Sequence, residues 1–283
     1  MRHYRNKVAI VTGAASGIGR SICDHLARHG AHVVATDIDT DGLSGTVETI
    51  AATGGVIKGE RLDVTDAKAV SELIHNTADE RGQIDYLFNN AGIAIAGKMN
   101  EMSLEDWYRL FDINVRGVIH GVHAAYPLMI QQGHGHIVNT ASVSGLIPSP
   151  GIGAYSATKH AVVGLSRALR VEGASHGVKV TAVCPGLIET PIVEHMTVAG
   201  HDEADLAGQD LQKMIPLKFY PVDKCGRDII KGVAKNKAVL IIVPHAHGLN
   251  ALHRISNSAY FSFAGMAARR MFAILDQATH SDT

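Results

Sequence analysis

Short apolar runs alternate with longer amphipathic segments along most of the chain. The amphipathic segments repeat apolar residues every three or four positions, as helices with one buried face do, and include 17–30, 66–81, 103–132 and 153–174. The apolar runs are rich in branched residues, which favour strands, and lie at 7–11, 32–37, 84–90, 136–141, 178–184 and 238–243. This alternation predicts βαβ units and a parallel sheet with helices on both faces.

No internal repeat, low-complexity stretch or Pro/Gly-rich linker divides the chain. Residues 1–245 are therefore expected to form one doubly wound domain. Residues 186–220 are more polar, with an acidic patch at 202–205, and are expected to form a substrate lid or insertion. Residues 246–283 follow the last expected strand and read as a separate helical extension.

Charge and cysteine content exclude several classes of protein. The 283 residues include 26 Lys and Arg against 27 Asp and Glu, so neither nucleic acid nor an anionic membrane is favoured as a partner. Cys23, Cys184 and Cys225 lie far apart, which argues against disulfides and cysteine metal sites and fits the cytoplasm. No signal peptide or membrane span is expected, because no apolar run is long enough.

The 17 histidines raise the question of a metal site. The closest pairs, His134 with His136 and His245 with His247, lack helical i,i+4 spacing and have no carboxylate beside them. Loop or surface histidine is the better interpretation, and no metal is expected.

A glycine-rich turn follows the first expected strand. In "TGAASGIG", Gly13, Gly17 and Gly19 let the backbone approach a pyrophosphate, and the helix that begins there presents free N–H groups to it. The spacing differs from the usual G-x-G-x-x-G, and an ordinary strand-to-helix turn is the alternative. Its place at the first βα turn nevertheless favours dinucleotide binding.

Asp37 ends the second expected strand, about twenty residues after the glycines. A carboxylate there accepts hydrogen bonds from a ribose diol and repels a 2′-phosphate, so Asp37 indicates NAD(H) in preference to NADP(H). The alternative is a simple turn residue, because Asp39 and Asp41 lie nearby. Asp63 follows a third strand and could meet the adenine, and "NNAG" (89–92) brings Gly92 close to the cofactor.

The segment "YSATK" places Tyr155 and Lys159 four residues apart, on the same face of a helix. Such a pair is common by chance. A lysine ammonium beside a phenol also favours the tyrosinate, which is what a general base requires. The rest of the chain decides between these alternatives.

Taken in order, "TGAASGIG", "NNAG", "NTAS" and "YSATK" resemble the motifs of the short-chain dehydrogenase/reductase family, over roughly residues 5–245. The resemblance implies a Rossmann-type sheet of about seven strands, a nicotinamide cofactor and a catalytic set of Asn114, Ser142, Tyr155 and Lys159. Asn114 would place a water that relays protons from Lys159. The residues expected to bind the cofactor are Gly13, Ser16, Gly17, Ile18, Gly19, Asp37, Asp63, Val64, Asn90, Ala91, Gly92, Tyr155, Lys159, Pro185, Gly186, Ile188 and Thr190.

The catalytic set has a chemical reason. Alcohol oxidation removes a proton while hydride leaves carbon, and a free tyrosine, with a pKa near 10, is a poor base at neutral pH. Lowering the pKa of Tyr155 to about 7 takes about 4 kcal/mol, and we expect the Lys159 ammonium to supply it with help from the nearby, also cationic, oxidised nicotinamide. Ser142 would hydrogen-bond the substrate oxygen opposite Tyr155.

Apolar residues flank the expected reaction site. Leu146 and Ile147, together with the residues expected to bind substrate (Ser144, Ile152, Leu187, Ile192 and Met196), suggest a hydrophobic secondary alcohol or ketone, although several of them could be core residues. The leading hypothesis is an NAD(H)-dependent alcohol dehydrogenase or ketone reductase. The alternative is a catalytically idle dinucleotide-binding protein that senses redox state or serves as a scaffold.

Small residues recur at four-residue steps on one predicted helix (Gly117, Gly121, Ala125) and at three- or four-residue steps on the next (Ala157, Ala161, Gly164, Ala168). They fit packing against the sheet or a subunit interface, and the family resemblance implies a homodimer or homotetramer. In the tail, residues 251–275 predict one helix with an apolar stripe of Leu252, Ile255, Ala259, Phe263 and Met266, widened by Tyr260, Phe261 and Ala267. The stripe could cover its own substrate cleft, a neighbouring subunit or, least favoured, a membrane surface.

Overall fold

The computed structural model describes residues 2–194, 197–199 and 218–280. Seven parallel strands form one sheet in the order β3-β2-β1-β4-β6-β7-β9. They are β1 (Val8–Thr12), β2 (His32–Asp37), β3 (Val56–Arg61), β4 (Tyr86–Asn89), β6 (Gly135–Thr140), β7 (Val178–Cys184) and β9 (Val239–Ile241). The strand order reverses between β1 and β4, where a doubly wound sheet opens a ligand crevice at its carboxyl edge.

Helices cover both faces of this sheet. They are α1 (Gly17–Arg28), α2 (Thr40–Ala52), α3 (Ala67–Arg81), α4 (Leu104–Phe111), α5 (Gly117–Gln132), α6 (Gly153–Gly173), α7 (Pro191–Glu194), α8 (Val222–Ala234), α9 (Pro244–Ile255) and α10 (Asn257–His280). A π-helix, Asp112–Arg116, joins α4 to α5. The central strands are buried along their whole length, as expected for a parallel sheet covered on both sides.

A second, two-stranded sheet lies beside the crevice. It pairs β5 (Ile95–Ala96) in parallel with β8 (Thr197–Val198), which was not predicted because two-residue strands leave no pattern in the sequence. The pairing joins the segment after "NNAG" to the expected lid, most of which lies outside the described residues.

The small residues on α5 and α6 have different surroundings. Gly117, Gly121 and Ala125 are buried, and a Cβ on Gly121 would meet the Asn89 side chain, so the α5 row packs against the sheet, which is the first of the two alternatives. On α6, the row of Ala157, Ala161, Gly164 and Ala168 is exposed.

The tail differs from the expected single helix. It breaks at Ser256 into α9 and α10. Tyr260 and Ala264 face inward, whereas the expected stripe residues Ile255, Phe263 and Met266 are exposed. The tail thus contacts the domain through Leu252 of the expected stripe and through Tyr260, which was expected to widen it and whose Oη donates to the Pro148 carbonyl oxygen at 2.7 Å.

Candidate active site

A cavity of about 860 Å³ opens at the carboxyl ends of the strands. It begins at the glycine-rich turn and extends past Tyr155 to α9. The cofactor residues expected from the sequence that line it are Gly13, Ser16, Gly17, Ile18, Asp37, Asp63, Val64, Asn90, Ala91, Gly92, Tyr155, Lys159, Pro185, Gly186, Ile188 and Thr190. Gly19 and Asn114 are not among the lining residues and lie behind them.

The glycine-rich turn needs its glycines for conformation and for space. Gly13 and Gly17 have φ angles of 68° and 54°, in the left-handed region that favours glycine. A Cβ on Gly19 would lie against the Gly13 carbonyl oxygen. The turn therefore packs against itself and leaves bare backbone facing the cavity at the start of α1, a position suited to anionic phosphates.

Asp37 is bound to this turn through its carboxylate. Oδ2 accepts a hydrogen bond from Ala15 N at 2.9 Å, and Oδ1 accepts one from Asp39 N at 3.0 Å. Each oxygen can still accept a further hydrogen bond toward the cavity that Asp37 lines. Two backbone donors thus fix the carboxylate at the carboxyl end of β2.

The segment after β4 is bound to the same turn. Thr12 Oγ1 accepts hydrogen bonds from Asn90 N and Ala91 N, both at 3.0 Å. Asn90 Nδ2 in turn donates to the Thr12 and Gly13 carbonyl oxygens at 3.1 and 3.2 Å. These contacts keep the two loops of the crevice at a fixed separation.

Short contacts connect the four expected catalytic residues. Tyr155 lies in the first turn of α6 and Lys159 one turn later, with the Lys159 Nζ 5.5 Å from the centre of the Tyr155 ring. A Cβ on Gly92 would stand 2.9 Å from Asn114 Oδ1 and 3.3 Å from Lys159 Nζ, so the missing side chain leaves room for these two polar groups. Ser142 caps the short turn after β6, where its Oγ accepts from Ser144 N at 3.1 Å, and it also hydrogen-bonds Tyr155.

Asn114 lies within the π-helix, and three hydrogen bonds hold its side chain. Its Oδ1 accepts from Ile93 N at 2.9 Å, and its Nδ2 donates to the Ile93 carbonyl oxygen and to Thr158 Oγ1. The side chain therefore connects the loop after β4 to α6. Such π-turns are frequent at functional sites.

Burial dominates the titration of the Tyr155–Lys159 pair. It raises the pKa of Tyr155 to about 12, against a hydrogen bond with Ser142 that lowers it, and it lowers the pKa of Lys159 to about 8. The protein groups alone thus raise the pKa of Tyr155, whereas the expected value near 7 relied also on the charge of the oxidised nicotinamide. The ammonium is itself desolvated, and it donates a hydrogen bond to the Thr140 carbonyl oxygen at 3.0 Å.

The far end of the cavity is largely apolar. Of the residues expected to bind substrate, Ser144, Ile152, Leu187 and Ile192 line it, and Met196 lies outside the described residues. Leu146 and Ile147 belong to the hydrophobic core instead.

Several lining residues were missed by the sequence reasoning. Arg109 and Ile113 approach from α4 and the π-helix, and His245, Ala246 and Leu249 approach from α9. His245 follows the last strand at the same sheet edge as the glycine-rich turn, so strand order offered a signal for it. Arg109 lies five residues before Asn114, a spacing that carried no comparable signal.

One cluster of possible metal ligands occurs among the described residues. It groups Asp24, His25 and Asp223, with His25 Nε2 at 3.0 Å from Asp223 Oδ1. None of the three lines the cavity, and the histidine pairs considered from the sequence do not belong to the cluster.

Comparison with known proteins agrees with this geometry. The family model for short chain dehydrogenases matches residues 7–199. SadH of Mycobacterium tuberculosis is 36% identical over 274 residues, which cover 96% of this chain and 99% of SadH. The chain belongs to the short-chain dehydrogenase/reductase family.

Two further relatives carry information on ligands. Cyclohexanol dehydrogenase of an Acinetobacter species is 34% identical over 227 residues, covering 79% of this chain and 84% of that enzyme. A short-chain dehydrogenase/reductase from Burkholderia phymatum, solved in complex with NAD, has a TM-score of 0.81 and 32% identity, and the match covers 90% of this chain and 95% of that one.

Membership of the short-chain dehydrogenase/reductase family makes this protein an oxidoreductase with a nicotinamide cofactor. Its residues fit such a cofactor, because a glycine-rich turn, a fixed carboxylate and a Tyr–Lys pair line a single cavity. Within the described ranges, no helix is both long and apolar enough to cross a bilayer.

Proposed function

We propose that this protein is an NAD(H)-dependent dehydrogenase that interconverts hydrophobic secondary alcohols and ketones. The observation that carries the proposal is the convergence of Ser142, Tyr155 and Lys159 in the cavity that begins at the glycine-rich turn. The nicotinamide would supply or accept the hydride. Asn114 supports the set from behind through Ile93 and Thr158.

Each catalytic residue has a distinct role in this proposal. Tyr155 exchanges a proton with the substrate oxygen, and Ser142 hydrogen-bonds the same oxygen and orients it. Lys159 supplies positive charge beside the phenol and a donor for the nicotinamide ribose. Because burial raises the pKa of Tyr155 to about 12, the protein groups favour the neutral phenol, which is the form that donates a proton during ketone reduction.

The preference for NAD(H) over NADP(H) rests on Asp37. The Ala15 and Asp39 amides fix its carboxylate, and a 2′-phosphate placed beside it would meet an uncompensated like charge. The described residues that line the cavity around Asp37 are Gly13, Ile38, Leu62 and Asp63, which offer no cation. The NAD found in the Burkholderia relative agrees with this proposal.

The proposed substrate class follows from the residues that line the far end of the cavity. Ile152, Leu187, Ile192 and Leu249 offer apolar surface, and Ser144 is already paired with Ser149 Oγ at 3.0 Å. A compact hydrophobic ketone or secondary alcohol suits this lining. The Acinetobacter relative is named for cyclohexanol, which makes cyclohexanol and cyclohexanone sensible first probes.

The proposal extends to the oligomeric state of the protein and to its domain organisation. The exposed small residues of α6 (Ala157, Ala161, Gly164 and Ala168) would let a second copy approach closely in a homodimer or homotetramer. Residues 1–245 would form the catalytic domain with a lid at 186–220, and 246–283 an extension packed on the domain or on a neighbouring subunit. Cys23, Cys184 and Cys225 are free and buried, which suits the cytoplasm.

A substrate screen tests the function. Purified protein is incubated with NAD and a panel of secondary alcohols, or with NADH and the matching ketones, while NADH absorbance is followed. We expect turnover with at least one cyclic or branched apolar pair. Tight NADH binding without turnover across the panel would favour the catalytically idle redox sensor instead.

A further inference from the structure

Arg109 is a cation that faces the crevice from α4. The helix begins with a capping box, in which Ser103 Oγ accepts from Asp106 N and Asp106 Oδ2 accepts from Ser103 N, both at 3.1 Å. This cap fixes the start of the helix that carries Arg109. The Arg109 side chain lines the main cavity and also an adjoining one of about 220 Å³.

The Arg109 guanidinium has no acidic partner in the described part of the chain. Glu105 and Asp106 lie within one turn of it, at distances along the helix that permit pairing, yet neither forms an ion pair with it. Arg116, by contrast, pairs with Asp112 Oδ1 at 2.6 Å. An arginine left without a carboxylate beside a cavity is available for an anionic ligand.

The surroundings of Arg109 indicate which part of the cavity it serves. The adjoining cavity is bounded by Ser16 of the glycine-rich turn and by Gly92, Pro191 and Ile192, and its lining includes neither Ser142 nor Tyr155. A Cβ on Gly17 would stand 3.8 Å from Pro191 Cδ, so Pro191 lies directly against the glycine-rich turn. Arg109 and Ser16, the residue just before α1, thus line the same small cavity.

We propose that Arg109 binds the pyrophosphate of the dinucleotide from the side opposite the glycine-rich turn. The inference rests on the proposed function, because it requires a dinucleotide in this cavity. The turn offers uncharged donors, the backbone N–H groups and the Ser16 hydroxyl, whereas the guanidinium adds a full positive charge and a planar pair of donors that match phosphate oxygens. Because Arg109 is exposed, salt should screen its contribution.

Isothermal titration calorimetry with ADP-ribose and adenosine tests this role without catalysis. ADP-ribose carries the pyrophosphate and adenosine does not. We expect Arg109→Gln to raise the dissociation constant for ADP-ribose about fivefold at low salt, to leave adenosine unchanged, and to lose this difference as salt increases. Arg109→Lys keeps the charge but loses the planar pair of donors, so it should retain part of the affinity for ADP-ribose that Arg109→Gln loses.

Arg28→Gln is the matched control, because it removes the same charge at the far end of α1, where Arg28 pairs with Asp24. Equal weakening by Arg28→Gln, or equal weakening of ADP-ribose and adenosine by Arg109→Gln, would overturn the proposal. Wild-type affinity of Arg109→Gln for ADP-ribose would overturn it while leaving the proposed function intact. Failure of the wild-type protein to bind either ADP-ribose or NADH would contradict the proposed function itself.

Discussion

The Lys159 ammonium lies 5.5 Å from the centre of the Tyr155 ring and donates a hydrogen bond to the Thr140 carbonyl oxygen at 3.0 Å. The two groups share a desolvated position, and burial moves their pKa values in opposite directions, to about 12 for Tyr155 and about 8 for Lys159. Near neutral pH the pair is therefore a neutral phenol beside a cation. That combination suits proton donation to a ketone oxygen.

The pH dependence of ketone reduction follows from these directions. Lys159 has a lowered pKa of about 8, so it is charged below that pH and loses its proton as the pH rises through it. We expect kcat/KM for reduction to be level below about pH 8 and to fall above it, measured on the best ketone of the screen. Circular dichroism across the range checks that the protein stays folded. A profile that stays level well above pH 8 would contradict the charge assigned to Lys159.

Asp37 should set the choice of cofactor. We expect NADH to bind at least about tenfold more tightly than NADPH, because the fixed carboxylate repels a 2′-phosphate. Asp37→Ala should reduce this affinity ratio, because it weakens the binding of NADH and strengthens the binding of NADPH. Fluorescence titration measures both affinities. Asp41→Ala, on the exposed start of α2, removes the same charge outside the cavity and should leave the ratio unchanged. Equal affinity of the wild-type protein for both cofactors would refute the assignment.

Gly19 should tolerate no side chain. A Cβ there would overlap the Gly13 carbonyl oxygen, which is backbone and cannot move without opening the turn. We expect Gly19→Ala to lower the free energy of unfolding by about 2 kcal/mol or more and to abolish NADH binding. Gly45→Ala is the control, because a Cβ at that position of α2 meets nothing within 4 Å and alanine favours helix. Denaturant unfolding that shows no difference between the two variants would contradict the described packing.

Tyr260 should act on the substrate through the 146–152 loop. Its hydroxyl donates to the Pro148 carbonyl oxygen at 2.7 Å, and Ser149, Pro150, Gly151 and Ile152 of that loop line the cavity. We expect Tyr260→Phe to raise KM for the best substrate about threefold or more and to leave the NADH dissociation constant unchanged. Ser262→Ala, which removes a hydroxyl from the exposed side of the same helix, should change neither value. Unaltered kinetics in Tyr260→Phe would show that the tail does not shape the substrate site.

Sequence patterns predicted the sheet because its strands are apolar on both faces. The limits of β2 and β7 agree with the runs at 32–37 and 178–184, since turn residues end each run sharply. The edge strand β3 is exposed along most of its length, and its sequence "VIKGER" carries no apolar run, so only Asp63 after it indicated a strand. A strand gives a recognisable apolar run when both of its faces are buried. Strand formation alone does not produce one.

Cavity residues could be predicted where the backbone conformation requires glycine. They could not be predicted where the packing of a helix on the domain brings a residue to the cavity. Gly13, Gly17 and Gly92 stand where a side chain would collide or strain the backbone, so their spacing is informative. Arg109 and Leu249 reach the cavity only because of how α4 and α9 lie on the domain. The tail shows the same limit, because the many apolar residues from 251 to 275 fit more than one docked face.

The most direct test of the proposed chemistry is the turnover of Tyr155→Phe measured together with its NADH binding. The substitution keeps the ring in its place on α6 and removes only the hydroxyl that we propose exchanges the proton. We expect kcat on the best substrate of the screen to fall by about a thousandfold or more while the NADH dissociation constant stays within about twofold of wild type. A variant that binds NADH and turns over at close to the wild-type rate would contradict the assignment of Tyr155 as the proton donor.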